Sequence, residues 1–347
     1  MRLATYNVEW FNALFDEVGA PLADNEWSAR WNVTRAAQLE ALGIVFTALD
    51  ADAVLIVEAP DWKAPRRTET ALEGFAALFG LRARKALIGF PNDTQQELAL
   101  LYDPDRVEAR HVPVGEATGK KGSEEAPRFD GVFRIDLDID AREDLVRFSK
   151  PPLEAELRLA GFDEVVRLIG VHIKSKAPHG ARSAADATRI SIANRRKQLA
   201  QSIWLRRRVE QHLAAGEALV VAGDFNDGPG LDEYEALFGR SGMEIVLGAD
   251  QPETMRLVDP HARQALAGGL MQAKDTTARF YLREEKRYLS ALLDYLMLSP
   301  GLAAHAQDWR IWHPFDDSQI YALPELREAL LTASDHFPVS VDLDPNL

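Results

Sequence analysis

The sequence predicts a mixed α/β (α+β) fold, and three observations carry this. Short apolar runs of strand length recur from the first residues to the last. Helical patterns fall between them instead of collecting in one half. No internal repeat or linker-like stretch divides the 347 residues, so the chain reads as a single domain over 1–347.

Taken in order, the strands are expected at Leu3–Val8, Ala53–Val57, Leu98–Tyr102, Val132–Leu137, Val165–Ile173, Ala218–Ala222, Leu292–Leu298 and Phe337–Leu343, most of them rich in Val, Ile, Leu or Phe. A helix is expected over Arg30–Leu49, where Trp31, Leu39, Leu42 and Phe46 recur near helical spacing. Glu69–Phe79 is a shorter candidate. Ala184–Ala214 is the longest, stopped by Ala215-Gly216. Leu231–Phe238 is short and amphipathic. Three stretches read as surface insertions: Gly115–Ala126, Met255–Tyr288, dense in charge, and Gly301–Thr332, dense in aromatics.

Composition narrows the chemistry. There is no cysteine, which excludes disulfides, thiolate metal sites and cysteine nucleophiles. The formal net charge is −14, which repels long polyanions unless a local basic patch offsets the field. No signal-like apolar stretch follows Met1, and no run of about 18 apolar residues occurs. The expectation is a cytoplasmic protein with no membrane span; no protein partner is inferred.

Six local patterns carry polar groups on apolar strands. In Val220–Pro229, a strand runs into Gly-Asp-Phe-Asn and then a turn, and alternation puts Asp224 and Asn226 on one side. Such a pair holds a water and donates to a phosphate oxygen; it also serves an ordinary strand–turn. Asp335-His336 enters the last strand, with Pro338 restricting Phe337. Glu58 ends an apolar strand and precedes Ala59-Pro60, and a carboxylate there is costly unless paired or bound to a cation. His172 and Lys174 share one strand face, and both suit a phosphate. Asp294 lies inside an apolar run and needs a partner, for which an imidazolium is the natural choice. Asn7 closes the first strand.

In this order the patterns TYNVEW, VLIVEAP, GVHIKSK, GDFND, LLDYLML and SDHFPV resemble the endonuclease/exonuclease/phosphatase superfamily, with its DNase I-like fold, over nearly the whole chain. Departures occur at Val57, where the family commonly has Gln, at Ile173-Lys174 after the histidine, and at Ser290-Ala-Leu-Leu before Asp294. They leave the substrate open.

The resemblance implies a four-layer sandwich, two mostly antiparallel β-sheets packed together and flanked by helices. It implies a divalent-metal-dependent phosphoesterase, with a phosphodiesterase or nuclease ahead of a phosphatase on a small monoester or lipid headgroup, and a non-catalytic binding protein third. Glu58 would bind Mg²⁺ or Mn²⁺, with Asn7 and Asp335 beside it. His336, oriented by Asp294, would be general base or phosphate-binding imidazole. Asp224 would orient the attacking water, and Asn226 and His172 would stabilise the transition state. Arg128 matches a phosphate-facing position in related enzymes, and Glu97 is placed to orient His172.

The long helix carries Arg195-Arg-Lys197 and Arg206-Arg-Arg208, about three turns apart and so on similar faces. They fit a nucleic-acid backbone or, more simply, a solvated face. Trp309, Trp312, Phe315 and Tyr321 fit stacking on an unpaired base or packing of their own segment. Acidity overall favours a short, single-stranded or small phosphodiester substrate over a long duplex.

Overall fold

A computed structural model of the chain describes residues 1–137, 143–178, 180–229, 239–268, 275–282 and 286–347. The expected helix Leu231–Phe238 lies outside them.

Two sheets form the centre. Strands β1 (Arg2–Asn7), β2 (Ala53–Ala59), β3 (Lys85–Ile88), β4 (Glu97–Tyr102), β14 (Ala306–Ile311) and β15 (Val339–Leu343) make a six-stranded sheet in the order β14-β15-β1-β2-β4-β3. Strands β5 (Val107–His111), β8 (Leu153–Leu159), β9 (Val165–His172), β10 (Ala218–Asp224) and β13 (Asp294–Leu298) make a five-stranded sheet in the order β13-β10-β9-β8-β5. Each sheet has one parallel pair, β1–β2 and β9–β10, and is otherwise antiparallel. The parallel pairs are bridged by α1 (Arg35–Leu49) and α3 (Ala184–Ala214), as a parallel crossover requires.

Strand alternation separates three apolar cores and so four layers. In β2, Leu55 and Val57 join the core between the sheets, while Val54 and Ile56 face α1, α2 (Thr68–Phe79) and the helix Pro324–Ala333. In β10, Val220 and Ala222 face the other sheet, while Leu219 and Val221 face α3. Burial on both faces is why these strands read as unbroken apolar runs. The expected sandwich of two mostly antiparallel sheets flanked by helices is the observed fold.

Boundaries differ for local reasons. Helix α1 starts at Arg35, not Arg30, because Thr34 caps it by accepting from the Ala37 amide, and Arg30 turns back to pair with Glu9. Helix α3 keeps its expected span, capped by Ser183, which accepts from the Asp186 amide. Strand β8, Leu-Glu-Ala-Glu-Leu-Arg-Leu, escaped the sequence reading because its residues favour helices; pairing on both sides overrides that preference.

Gly301–Thr332 is joined to the six-stranded sheet. It contributes β14, which pairs with β15 at the sheet edge, and most of the helix Pro324–Ala333, which buries Leu326, Ala329 and Leu330 against α1. In Gly115–Ala126, Gly115 (φ +93°) lets the loop approach the buried Arg208, which donates to the carbonyls of Val114, Ala126 and Pro127. The described part of Met255–Tyr288 holds the helix Pro260–Ala267 and β11 (Ala278–Leu282), which pairs with β12 (Arg287–Ala291) in a two-stranded ribbon. Among the described residues, no helix is long and apolar enough to cross a membrane.

Candidate active site

Topology gathers the polar strand ends. The parallel strands finish where their antiparallel neighbours begin. Asn7 ends β1, His172 ends β9, Asp224 ends β10, Asp294 opens β13, and Asp335-His336 precede β15. In register, Asp224 stands between His172 and Asp294. Glu58 sits at a bulge where β2 shifts against β4, with φ +63°. A bulge re-aims one side chain out of the alternation, and Glu58 faces the same cleft.

That cleft has a volume of about 920 Å³, and Asn7, Glu58, His172, Lys174, Asp224, Asn226, Asp335 and His336 all line it. Asp294 lies behind His336, its Oδ2 2.7 Å from the imidazole Nδ1. This leaves Nε2 as the ring nitrogen for the cleft. Asn7 donates through Nδ2 to Asp224 Oδ2 at 3.1 Å. Asn226 donates to both oxygens of Asp224, through its amide at 2.7 Å and its Nδ2 at 2.9 Å. Its φ of +50° turns the chain back to make this double contact. His172 Nε2 is 3.6 Å from Asp224 Oδ2. Ser334 ties the two halves of the floor, donating to the Asn7 carbonyl and accepting from the Glu9 and His336 amides.

Charge is concentrated and poorly screened here. Burial, reinforced by Asp294, pushes the Asp224 carboxyl up to about 7. Burial also raises Glu58. For His336, burial pulls the pKa down, but Asp294, Asp224 and Asp335 outweigh it and hold the imidazole well above its ordinary value, which favours the protonated form. His172 goes the other way: burial, with Lys150 and His336 as like charges, takes it well below 6.5. The two imidazoles are therefore shifted in opposite directions.

Two residues of the site were missed by the sequence reading. Glu9 lines the cleft, pairs with Arg30, and is pushed up to about 7 by burial and by Asp335. Its signal was present: it follows Asn7 by two residues, the strand period. Lys150 lines the cleft with Nζ 3.2 and 3.3 Å from the two ring nitrogens of His172. Nothing marked it except its place before Pro151-Pro152 and an apolar run.

The model of the Endonuclease/Exonuclease/phosphatase family matches residues 4–336, nearly the whole chain. The chain belongs to this family. Similar solved structures include a 3′-5′ exonuclease from Neisseria meningitidis (16% identity, 99% of this chain and 100% of that one, TM-score 0.47), an AP endonuclease from Archaeoglobus fulgidus (12%, 99% and 99%, 0.49) and a mannosyl-6-phosphatase from Bacteroides thetaiotaomicron (13%, 99% and 99%, 0.47). No curated protein matches the chain by sequence.

Members of the endonuclease/exonuclease/phosphatase family are generally hydrolases of phosphoester bonds and typically depend on a divalent metal. The residues present fit such an ion. Asn7 Oδ1 and Asp294 Oδ1 are buried without a hydrogen-bond partner, and Glu58, Asp224 and Asp335 add carboxylate oxygens to the same cleft, the donor type that hard cations prefer. Asp224, Asp294 and His336 also place ligand atoms within 4.8 Å of one another.

Other expectations fail against the geometry. Arg128 does not line the cleft; its guanidinium is held by Asp130 at 2.6 and 2.7 Å and lies over Phe90. Glu97 does not orient His172. It accepts from the Asn92 and Trp62 amides and from Asn92 Nδ2, while Lys150 takes the place beside the imidazole. Three arginines of the α3 clusters turn inward, while Arg207 stays exposed. Arg195, Arg206 and Arg208 are buried, bonded to Asp227, to the Val246 and Met255 carbonyls, and to Glu154. Of the four aromatics in Gly301–Thr332, none lines the cleft. Trp312 is buried with Nε1 on Ser340 Oγ, and Trp309 donates to the Leu296 carbonyl. Among the described residues, Trp10 and Phe280 are the Trp, Tyr or Phe side chains that line the cleft.

Proposed function

We propose that this chain is a divalent-metal-dependent phosphodiesterase acting on a short or single-stranded nucleic acid or a small nucleotide diester. The observation that carries this reading is the pair of bonds His336–Asp294 (2.7 Å) and Asn7–Asp224 (3.1 Å), set in one cleft with Glu58 and Asp335.

Glu58, Asp335 and Asn7 would hold Mg²⁺ or Mn²⁺. When bound, the ion draws charge from the phosphate oxygens and offsets what develops in the transition state. His336, kept protonated by Asp294, donates from Nε2 to a phosphate oxygen. That state makes it a donor and leaves Asp224 as the base. A carboxyl near 7 balances basicity against availability at neutral pH, and the double contact from Asn226 fixes which lone pairs of Asp224 meet the attacking water. Asn226 and neutral His172 stabilise the developing phosphorane by hydrogen bonding. Lys174 contributes positive charge to the cleft wall.

Substrate size follows from where the cations are spent. Long duplexes are gripped through many phosphate contacts. In this protein three arginines of the densest basic clusters are consumed inside the fold, while the cleft lining includes apolar Phe280, Leu282, Leu289 and Leu293.

The test is hydrolysis of bis-p-nitrophenyl phosphate, p-nitrophenyl phosphate, RNA, and single-stranded and duplex DNA in Mg²⁺ or Mn²⁺. Diester cleavage should stop in chelator and favour single strands at equal phosphate concentration. Full activity in chelator, or cleavage of the monoester alone, overturns the reading.

A further inference from the structure

The cations of the cleft are not equivalent. Lys176 is tied to Asp227 at 2.8 Å. Lys150 and Lys174 of the cleft, and Lys197, which does not line it but bonds Ser149, which does, have no carboxylate within ion-pair distance among the described residues, although all three are partly buried. Their contacts run away from the reacting centre in sequence. Asp224 is 3.6 Å from His172, and His172 is 3.2 Å from Lys150 Nζ. Ser149, the next residue, lines the cleft and receives Lys197 Nζ of α3 on its Oγ at 3.2 Å. Lys174 lines the same cleft, its amide donating to Gln201 Oε1 at 2.9 Å.

Burying ammonium groups together without an acid is costly, and here burial and mutual repulsion lower the pKa of Lys197, as burial does that of Lys174. In a chain of net charge −14, with acids available to pair most of its arginines, such a cluster needs an anion from outside. In the proposed mechanism the scissile phosphate does not account for it, because that group is served by His336, Asn226 and His172.

We propose that Lys174, Lys197 and Ser149 form a subsite for a second phosphate of the substrate, beside the one that reacts. This rests on the phosphodiesterase reading and narrows it. The substrate is a strand or nucleotide with at least two phosphates, one in the catalytic centre and one on the lysines. Ser149 Oγ and the two ammonium groups supply charge-assisted donors, and Lys150 spaces the two sites.

The test is calorimetric titration of the whole chain, in Mg²⁺, with a nucleoside 3′,5′-bisphosphate and the matching 5′-monophosphate, both as phosphorothioates that resist hydrolysis. The bisphosphate should bind about tenfold more tightly or better, the gain of one further charge-assisted contact. That preference should vanish in Lys174→Ala/Lys197→Ala and survive in Lys197→Arg. Should the double alanine variant fail to fold, Lys197→Gln is read in its place, with the preference reduced. Equal affinities for the wild type, or a preference that persists in the alanine variant, overturns the subsite. Hydrolysis of bis-p-nitrophenyl phosphate, which has one phosphate, reports separately: no turnover there, with the bisphosphate preference intact, sinks the activity and leaves the subsite standing.

Discussion

Asp294 opens β13 of one sheet, His336 leads into β15 of the other, and the two meet at 2.7 Å across the seam. Asn7 and Asp224 do the same at 3.1 Å. The chemistry is thus placed where the two layers of the sandwich touch, and neither sheet alone contains it.

The first consequence is a coupled pH profile. Asp294 holds the His336 proton, so Asp294→Asn should lower the imidazole pKa and move the alkaline limb of the kcat profile to lower pH. His336→Ala should cost about 10²–10⁴-fold in kcat. An alkaline limb that stays in place in Asp294→Asn would show that Asp294 is not the partner that matters.

Glu58 combines a bulge, a positive φ and burial. A non-glycine residue in that region costs roughly 1–2 kcal/mol, tolerated here for function. Glu58→Gly should raise the melting temperature measured in chelator, while Glu58→Gln and Glu58→Gly both weaken Mn²⁺ binding and activity. Unchanged metal affinity in Glu58→Gln would remove it from the metal site.

Gly223 places Asp224. Its φ is +130°, and a Cβ there would meet the Val171 carbonyl oxygen at 2.1 Å, inside the parallel β9–β10 pair. Gly223→Ala must therefore force the strands apart, at a cost of about 3 kcal/mol or more. Denaturant unfolding checks this; a variant as stable as wild type would contradict the strand register.

Arg195 and Asp227 form a buried pair at 2.6 Å. Removing Arg195 empties one oxygen of the buried carboxylate while Lys176 stays on the other, so Arg195→Ala should cost about 3 kcal/mol in stability, the low end for a broken buried pair. The salt dependence of nucleic-acid binding should stay unchanged, because no phosphate contact is lost. A shallower salt slope at unchanged stability would return the cluster to the binding surface.

Burial pushes the Glu97 carboxyl up to about 7 from its ordinary 4.5. The folded state therefore favours the protonated form. Its contribution to stability is full below about pH 4.5 and is lost as pH rises to about 7. Relative to Glu97→Gln, the wild type should lose roughly 2–4 kcal/mol across that window. Parallel stability curves for the two proteins would show that Glu97 is ionised throughout.

What the sequence by itself determined is local. Apolar runs buried on both faces announce β2, β9, β10 and β13, and a polar residue at the end of such a run is conspicuous because burial there is costly. That is why Asn7, Glu58, His172, Asp224, Asp294 and His336 were legible before any fold was seen. The tertiary structure decided which of them meet, since Asp224 finds Asn7 from 217 residues away and no period or propensity encodes a partner. It also decided that Lys150 enters the site from a loop with no pattern, and that Arg195, Arg206 and Arg208 of α3 turn inward. A charged helix face reads the same whether it meets water, a phosphate or a buried acid, and it is Asp227, from the turn after β10, and Glu154, from β8, that settle which for Arg195 and Arg208.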